Sequence, residues 1–238
     1  MQDTDPSIQA ADPVNPSDLA LGLISPHIPP DLWQRHFAGA PLRLGVLASG
    51  SGSNLEAIAQ AIAQQQLNAQ IQVMIYNQPQ AKAVERAKRL GIATELLNHR
   101  NFPSREALDQ AIIEQLKRYD VDWVIMAGWM RVVTDVLITA FPDRILNLHP
   151  SLLPSFPGAH AVEQALAAGV KVTGCTVHYV RLEVDSGPII MQAAVPVLPN
   201  DTPDTLHQRI QVQEHRIFPR AIALAGSDIA GSDINSGI

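Results

Sequence analysis

The sequence predicts an α/β protein built on a doubly wound, mostly parallel sheet with an antiparallel strand near one edge. Two observations carry this reading. Short apolar runs alternate with segments whose apolar residues recur at helical spacing, as strands linked by crossover helices do. Two late runs, 172–180 and 189–197, follow each other without a full helix between them, which points to an antiparallel addition.

The elements follow in order. Residues 1–40 carry Asp3, Asp5, Asp12, Asp18 and Asp31 against Arg35, and six of the 18 prolines. Proline fixes φ and lacks a donor, so this stretch reads as an acidic, largely irregular extension. Within it, Leu32, Trp33 and Phe37 suit a short helical turn docked on the body. A single folded domain is expected over 41–226. Its first strand is Arg43–Ala48, followed by the turn SGSGSN and a helix over Leu55–Gln64. Ile71–Tyr76 reads as a strand, Ala81–Leu90 as a helix closed by Gly91, and Thr94–Leu97 as a short strand. Ser104 can cap the next helix, with Ala107 where a full capping box would have Glu. Asp122–Ala127 and Ile145–Leu148 are buried strands. The two late strands follow, then a helix over Thr202–Leu224. The Gly/Ser/Asp-rich stretch 227–238 reads as a flexible tail.

Composition narrows the function classes. The chain has 238 residues, 46% of them hydrophobic and 17% charged, enough for a sizeable core. The net charge is −6, and all of it lies in the two terminal stretches. A balanced body and a pI near 5.7 argue against a nucleic-acid surface, which needs a basic face. The one cysteine, Cys175, excludes an internal disulfide framework and reads as a buried small apolar residue. No apolar run approaches the ~18 residues of a membrane span, and no secretory signal opens the chain. The expectation is a soluble, cytoplasmic globular protein with no nucleic acid and no membrane. No metal is expected, because no metal-ligand spacing is present.

In such sheets ligands bind beyond the carboxyl ends of the strands, so the polar residues placed there matter. The first strand runs into Ser49-Gly50-Ser51-Gly52-Ser53-Asn54 and then a helix. Glycines let the backbone approach a ligand, and the free N–H groups of a helix start favour an anion such as phosphate. A dinucleotide fingerprint would need a third glycine where Leu55 stands, and a P-loop would need a lysine. A plain glycine-rich turn is the alternative.

The strand Ile145-Leu146-Asn147-Leu148-His149 breaks the apolar rule at its carboxyl end. Asn147 and His149 share one face with Ile145. An amide donor beside an imidazole suits a carbonyl oxygen that gains negative charge. A structural histidine beside a turn-capping asparagine fits the local pattern equally well. Asp185 lies before the next strand. Near His149 it would orient the ring and favour its protonated form; on its own segment it reads as an Asx turn.

Six segments in order carry a resemblance. They are SGSGSNL, Ala127-Gly128-Trp129-Met130-Arg131, ILNLHPSLLPSFPG, Thr173–His178, Asp185–Ile190 and Gln211–His215. Over residues 42–224 the chain resembles the phosphoribosylglycinamide formyltransferases, the glycinamide ribonucleotide transformylases of purine synthesis, which have a Rossmann-like formyltransferase fold. The resemblance implies transfer of a formyl group from 10-formyltetrahydrofolate, a cosubstrate, to the amine of 5'-phosphoribosylglycinamide. It implies that Asn147 holds the formyl oxygen, that His149 is general acid and oxyanion stabiliser, and that Asp185 supports His149. It further implies that Gly52, Ser53 and Asn54 hold the phosphate and Glu214 the ribosyl-glycinamide part. Met130, Arg131, Val132 and Val133, with Asn147, would line the folate pocket, and Arg105 would lie near the folate tail. The extension and Trp129 depart from the family pattern.

Three rival readings share part of this pattern. A formyltetrahydrofolate deformylase shares the catalytic set but has no need of a phosphate cradle, and its relatives usually carry a longer leading domain. A methionyl-tRNA formyltransferase would need a tRNA-binding domain after Leu224. A non-catalytic phosphosugar-binding module would keep the glycine loop without reason to keep Asn147, His149 and Asp185 together.

Overall fold

The computed structural model describes residues 23–227, so Asp3, Asp5, Asp12, Asp18 and the predicted tail from Asp228 lie outside the described residues. Eight strands form one sheet. They are β1 (Ile24–Ser25), β2 (Leu42–Ala48), β3 (Ala69–Tyr76), β4 (Thr94–Leu96), β5 (Trp123–Met126), β6 (Ile145–His149), β7 (Val172–Tyr179) and β8 (Ile189–Pro196). Seven helices accompany them: α1 (Pro30–Ala38), α2 (Ser53–Ala63), α3 (Ala83–Arg89), α4 (Arg105–Arg118), α5 (Asp135–Ala140), α6 (Ala161–Ala167) and α7 (Pro203–Ser227).

The sheet order is β1-β8-β7-β6-β5-β2-β3-β4. From β6 to β4 every pair is parallel; β7 opposes β6, β8 opposes β7 and β1 opposes β8. The chain winds outward from β2 to β4, then returns to place β5 and β6 on the other side of β2. The order therefore reverses between β2 and β5, and a crevice opens beyond their carboxyl ends.

Alternation along the strands feeds two cores. Leu44, Val46 and Ala48 of β2, Trp123 and Ile125 of β5, and Leu146 and Leu148 of β6 pack with α2, α3 and α7. Leu47, Val73, Ile75, Val124, Met126 and Ile145 face the other way, onto α4 and α5. Side chains two apart share a face, so Asn147 and His149 follow Ile145. The Ser104 hydroxyl accepts the Ala107 N–H at 3.1 Å and starts α4, as its sequence suggested.

The predicted elements are present, with differences at their ends and in the connections. The last helix runs to Ser227, carrying Pro219 in its interior. Helices α5 and α6, with six and seven residues, have no counterpart in the sequence reading because so short a stretch shows no clear period. The described part of the extension is more regular than its prolines suggested. Pro30 opens α1, where its missing N–H costs nothing. Leu32 and Trp33 pack against the first core while Phe37 stays exposed, and Ile28 is buried. β1 pairs Ile24 with Ala193 and so covers the edge of β8. His36 joins the extension to the body: its Nε2 accepts the Asn68 backbone N–H at 2.8 Å, and its carbonyl accepts the Asn68 amide at 3.0 Å.

Candidate active site

A cavity of about 610 Å³ occupies the crevice. Its walls are the loops after β2 and β5, the end of β6, the loops around Gly158 and Asp185, and one side of α7. It brings together Gly52, Ser53, Asn54, Met130, Arg131, Val132, Val133, Asn147, His149, Asp185 and Glu214. Arg105 is not part of this lining. It is exposed in the first turn of α4.

The glycine loop is built for close approach. Gly52 has φ +75°, and a Cβ there would lie 2.7 Å from Cα and Cβ of Ala83, so both the conformation and the space require glycine. The Ala83 N–H donates to the Gly50 carbonyl at 3.1 Å, and Arg86 Nε to the Ser51 carbonyl at 3.0 Å. Helix α2 begins here with no side-chain cap, so its first N–H groups are left for an anion in the cavity. Opposite stands α7. Gln211 donates to Ser53 Oγ at 2.9 Å, and Asn54 Nδ2 donates to Glu214 Oε2 at 3.0 Å. Asn54 Oδ1 is buried without a protein partner. Glu214 is buried, and burial pushes its carboxyl above the ordinary range although the Asn54 bond works against that.

The strand β6 delivers Asn147 and His149 to the centre of the cavity. His149 Nδ1 lies 3.2 Å from Asp185 Oδ2, and its Nε2 lies 2.8 Å from the Phe156 carbonyl. The Gly158 N–H donates to Asp185 Oδ2 at 2.7 Å. Asn147 Nδ2 lies 3.1 Å from His178 Nε2 and 3.4 Å from Asp185 Oδ1. His178 Nδ1 is 2.9 Å from the Tyr179 carbonyl. A carbonyl only accepts, so that nitrogen carries the proton. The ring's Nε2 faces both the Asn147 amide and Asp185 Oδ1, at 3.1 and 3.5 Å. Burial raises the Asp185 carboxyl. Hydrogen bonding from His178, the Gly158 N–H and the charge on His149 outweigh it, and the group is held below its ordinary value. The set can therefore present an amide N–H and an imidazolium, backed by a carboxylate, to one oxygen.

The loop after β5 forms the remaining wall. Ser49 Oγ accepts the Met130 N–H at 2.9 Å. Buried Asp109 on α4 accepts both the N–H and the hydroxyl of Thr134, at 2.6 and 2.8 Å. Held at both ends, the loop exposes Met130 and Val132 and buries Trp129 and Val133. The buried Arg131 Nε has no protein partner.

Residues 42–222 match the formyl transferase family. The chain belongs to that family. It is 43% identical over 180 residues to the phosphoribosylglycinamide formyltransferase of Bacillus subtilis, covering 76% of this chain and 92% of that protein. It is 45% identical over 196 residues to the trifunctional purine biosynthetic protein adenosine-3 of Drosophila pseudoobscura pseudoobscura. That match covers 82% of this chain but spans only 14% of the longer protein. The glycinamide ribonucleotide transformylase 1 of Symbiobacterium toebii superposes with a TM-score of 0.79 at 48% identity, covering 82% of this chain and 92% of that one. A mostly parallel sheet with antiparallel strands at one edge is thus the formyl transferase architecture in this chain.

Within this family member, the structure adds residues that the sequence reading passed over. His178 on β7 touches both Asn147 and Asp185. The register pairs Asn147 with His178 across β6 and β7, a relation that sequence spacing does not carry. Gln211 reaches the glycine loop from a helix more than 150 residues away. Phe156 acts through a backbone carbonyl, which no side-chain motif reports. His160 lines the cavity with an exposed ring, near Glu163 at 3.4 Å.

Proposed function

We propose that this formyl transferase moves the formyl group of 10-formyltetrahydrofolate to the amine of 5'-phosphoribosylglycinamide, giving N-formylglycinamide ribonucleotide and tetrahydrofolate in purine synthesis. One observation carries the choice of acceptor. The open N-terminus of α2 and the Asn147–His149–Asp185 set face one cavity. A hydrolase that only releases formate has no use for a phosphate cradle.

In this reading the phosphate rests on the backbone of Gly52, Ser53 and Asn54, and Glu214 with Asn54 Oδ1 receives donors of the ribosyl-glycinamide part. Met130, Arg131, Val132 and Val133 hold the folate, and exposed Arg105 meets its anionic tail. The substrate amine attacks the formyl carbon, and charge gathers on the formyl oxygen. Asn147 donates one hydrogen bond to that oxygen, giving up its 3.4 Å contact with Asp185, and the His149 imidazolium donates another from Nδ1, the nitrogen not held by the Phe156 carbonyl. Asp185 keeps the imidazolium charged. As the tetrahedral intermediate collapses, the bond from carbon to the folate nitrogen breaks. The amine loses a proton and the departing nitrogen gains one, with His149 as donor and Asp185 supporting the relay. The two ligands are small molecules, and a monomer or homodimer in the cytoplasm suits them.

A paired assay tests this. Product formation with both substrates is compared with formate release when the ribonucleotide is left out. The expected result is transfer that depends on the ribonucleotide, reduced by about 10²–10³ in His149→Ala. Equal formate release without it would assign a hydrolase.

A further inference from the structure

We propose that the loop 151–158 is a positioning strap for the catalytic pair, in which the main-chain carbonyl of Phe156 fixes the His149 ring so that the proton it exchanges sits on Nδ1. The inference rests on His149 being the general acid. The geometry is two-handed. The Phe156 carbonyl lies 2.8 Å from His149 Nε2, and two residues later the Gly158 N–H donates to Asp185 Oδ2 at 2.7 Å. One short loop therefore holds both partners of the His149–Asp185 contact.

The tautomer follows from the acceptor. A carbonyl cannot donate, so Nε2 keeps its hydrogen as long as the contact lasts. The nitrogen that gains and loses a proton is then Nδ1, the one facing Asp185 at 3.2 Å. The titratable groups around the ring are Asp185 and, through it, His178 on β7. Glu214 on α7 is engaged by Asn54, and His160 at the start of α6 lies beside Glu163.

The backbone of the loop goes against local preference to make these contacts. Phe156 has φ +56° and Gly158 φ +80°. A bulky side chain disfavours positive φ, and the residue before a proline favours extended backbone. Phe156 meets both conditions, and its own side chain is only half-buried. Buried Ser151 anchors the loop from its start, donating its hydroxyl to the Ser155 carbonyl at 2.5 Å. Backbone held in a disfavoured region at a reaction centre is a mark of positioning.

The test uses the full chain with ¹⁵N-labelled histidine, titrated by NMR. In the wild type, the neutral His149 ring should carry its hydrogen on Nε2, with Nδ1 bare. A neutral ring carrying its hydrogen on Nδ1 would overturn the proposal. Two variants separate backbone from side chain. Phe156→Val resists the left-handed region; Phe156→Asn enters it readily. Phe156→Val should loosen the Nε2 hydrogen bond, read as a changed ¹⁵N shift of that nitrogen, and cut kcat about tenfold with KM nearly unchanged, while Phe156→Asn stays within about twofold. Equal losses in both variants, or no loss in Phe156→Val, would refute the strap. If Phe156→Val fails to fold, the wild-type tautomer and the Phe156→Asn rate still decide. Absence of formyl transfer in the wild type would instead remove the functional reading, leaving the tautomer to be judged alone.

Discussion

Asp185 answers to four neighbours at once, and its ionised form is the one the fold binds. Its carboxyl is held below the ordinary value despite burial. A carboxylate with a lowered folded pKa adds stability that is whole above its unfolded value, about 4, and fades as pH falls through the folded one. Urea stability measured from pH 7 down to pH 3 should therefore fall less steeply in Asp185→Asn than in the wild type. Parallel curves would show that the folded protein does not prefer the carboxylate. Gly52 makes a different kind of demand. A Cβ at φ +75° would press on the Ala83 backbone at 2.7 Å, and neither side can yield without moving the loop from α3. Gly52→Ala should raise KM for the ribonucleotide at least about tenfold, because the amides proposed to hold its phosphate move. KM for the folate should change much less. Equal effects on both constants would place the phosphate elsewhere.

The elements show which parts of the protein were legible in sequence. Strands β2, β3 and β5 to β8 announced themselves because each is a short, largely apolar run between turn signals. The polar pair in β6 stood out because a strand covered on both faces has no ordinary place for Asn147 and His149. β1 could not be read. Two residues carry no period, and they are a strand only because Gln192 and Ala193 of β8 lie opposite. His178 likewise became a site residue through register alone. The extension gains a role from the same pairing. It caps an open sheet edge and buries Ile28, with Leu32 and Trp33 against the core and His36 tied to Asn68. None of residues 23–40 lines the cavity. Deleting residues 1–40 should thus cost at least about 2 kcal/mol of stability, from the Ile28 side chain alone, while kcat at 25 °C stays within about twofold. Denaturant melts and initial rates on the same preparation check both halves. An unchanged melt would mean the strand and helix dock without consequence, and a large fall in kcat would tie the extension to the site.

At the scale of the whole molecule, charge and binding are separated. The net charge is −6, yet residues 23–227 balance, and the excess comes from Asp3, Asp5, Asp12, Asp18, Asp228 and Asp233. Both ligands proposed for the cavity are anions. If the global charge governed their approach, these six aspartates would repel them. The fold argues otherwise. The last described residue, Ser227, lies thirteen positions beyond Glu214 on α7, about 20 Å along a helix. Leu23, at the other end, bonds to Ala194, five residues past the start of β8, about 16 Å along the strand. Both distances exceed the Debye length, about 8 Å at physiological salt. In the proposed reading, attraction is left to local devices: the open start of α2 for phosphate, and Arg131 and Arg105 for the folate. Replacing all six aspartates with asparagine brings the net charge to zero without shortening the chain. At physiological salt kcat/KM for the ribonucleotide should change by less than about twofold, whereas Arg131→Ala should weaken the folate severalfold. A marked rise in kcat/KM in the neutral variant, lost again as salt is added, would show that the termini repel substrate and that the balanced body does not act alone.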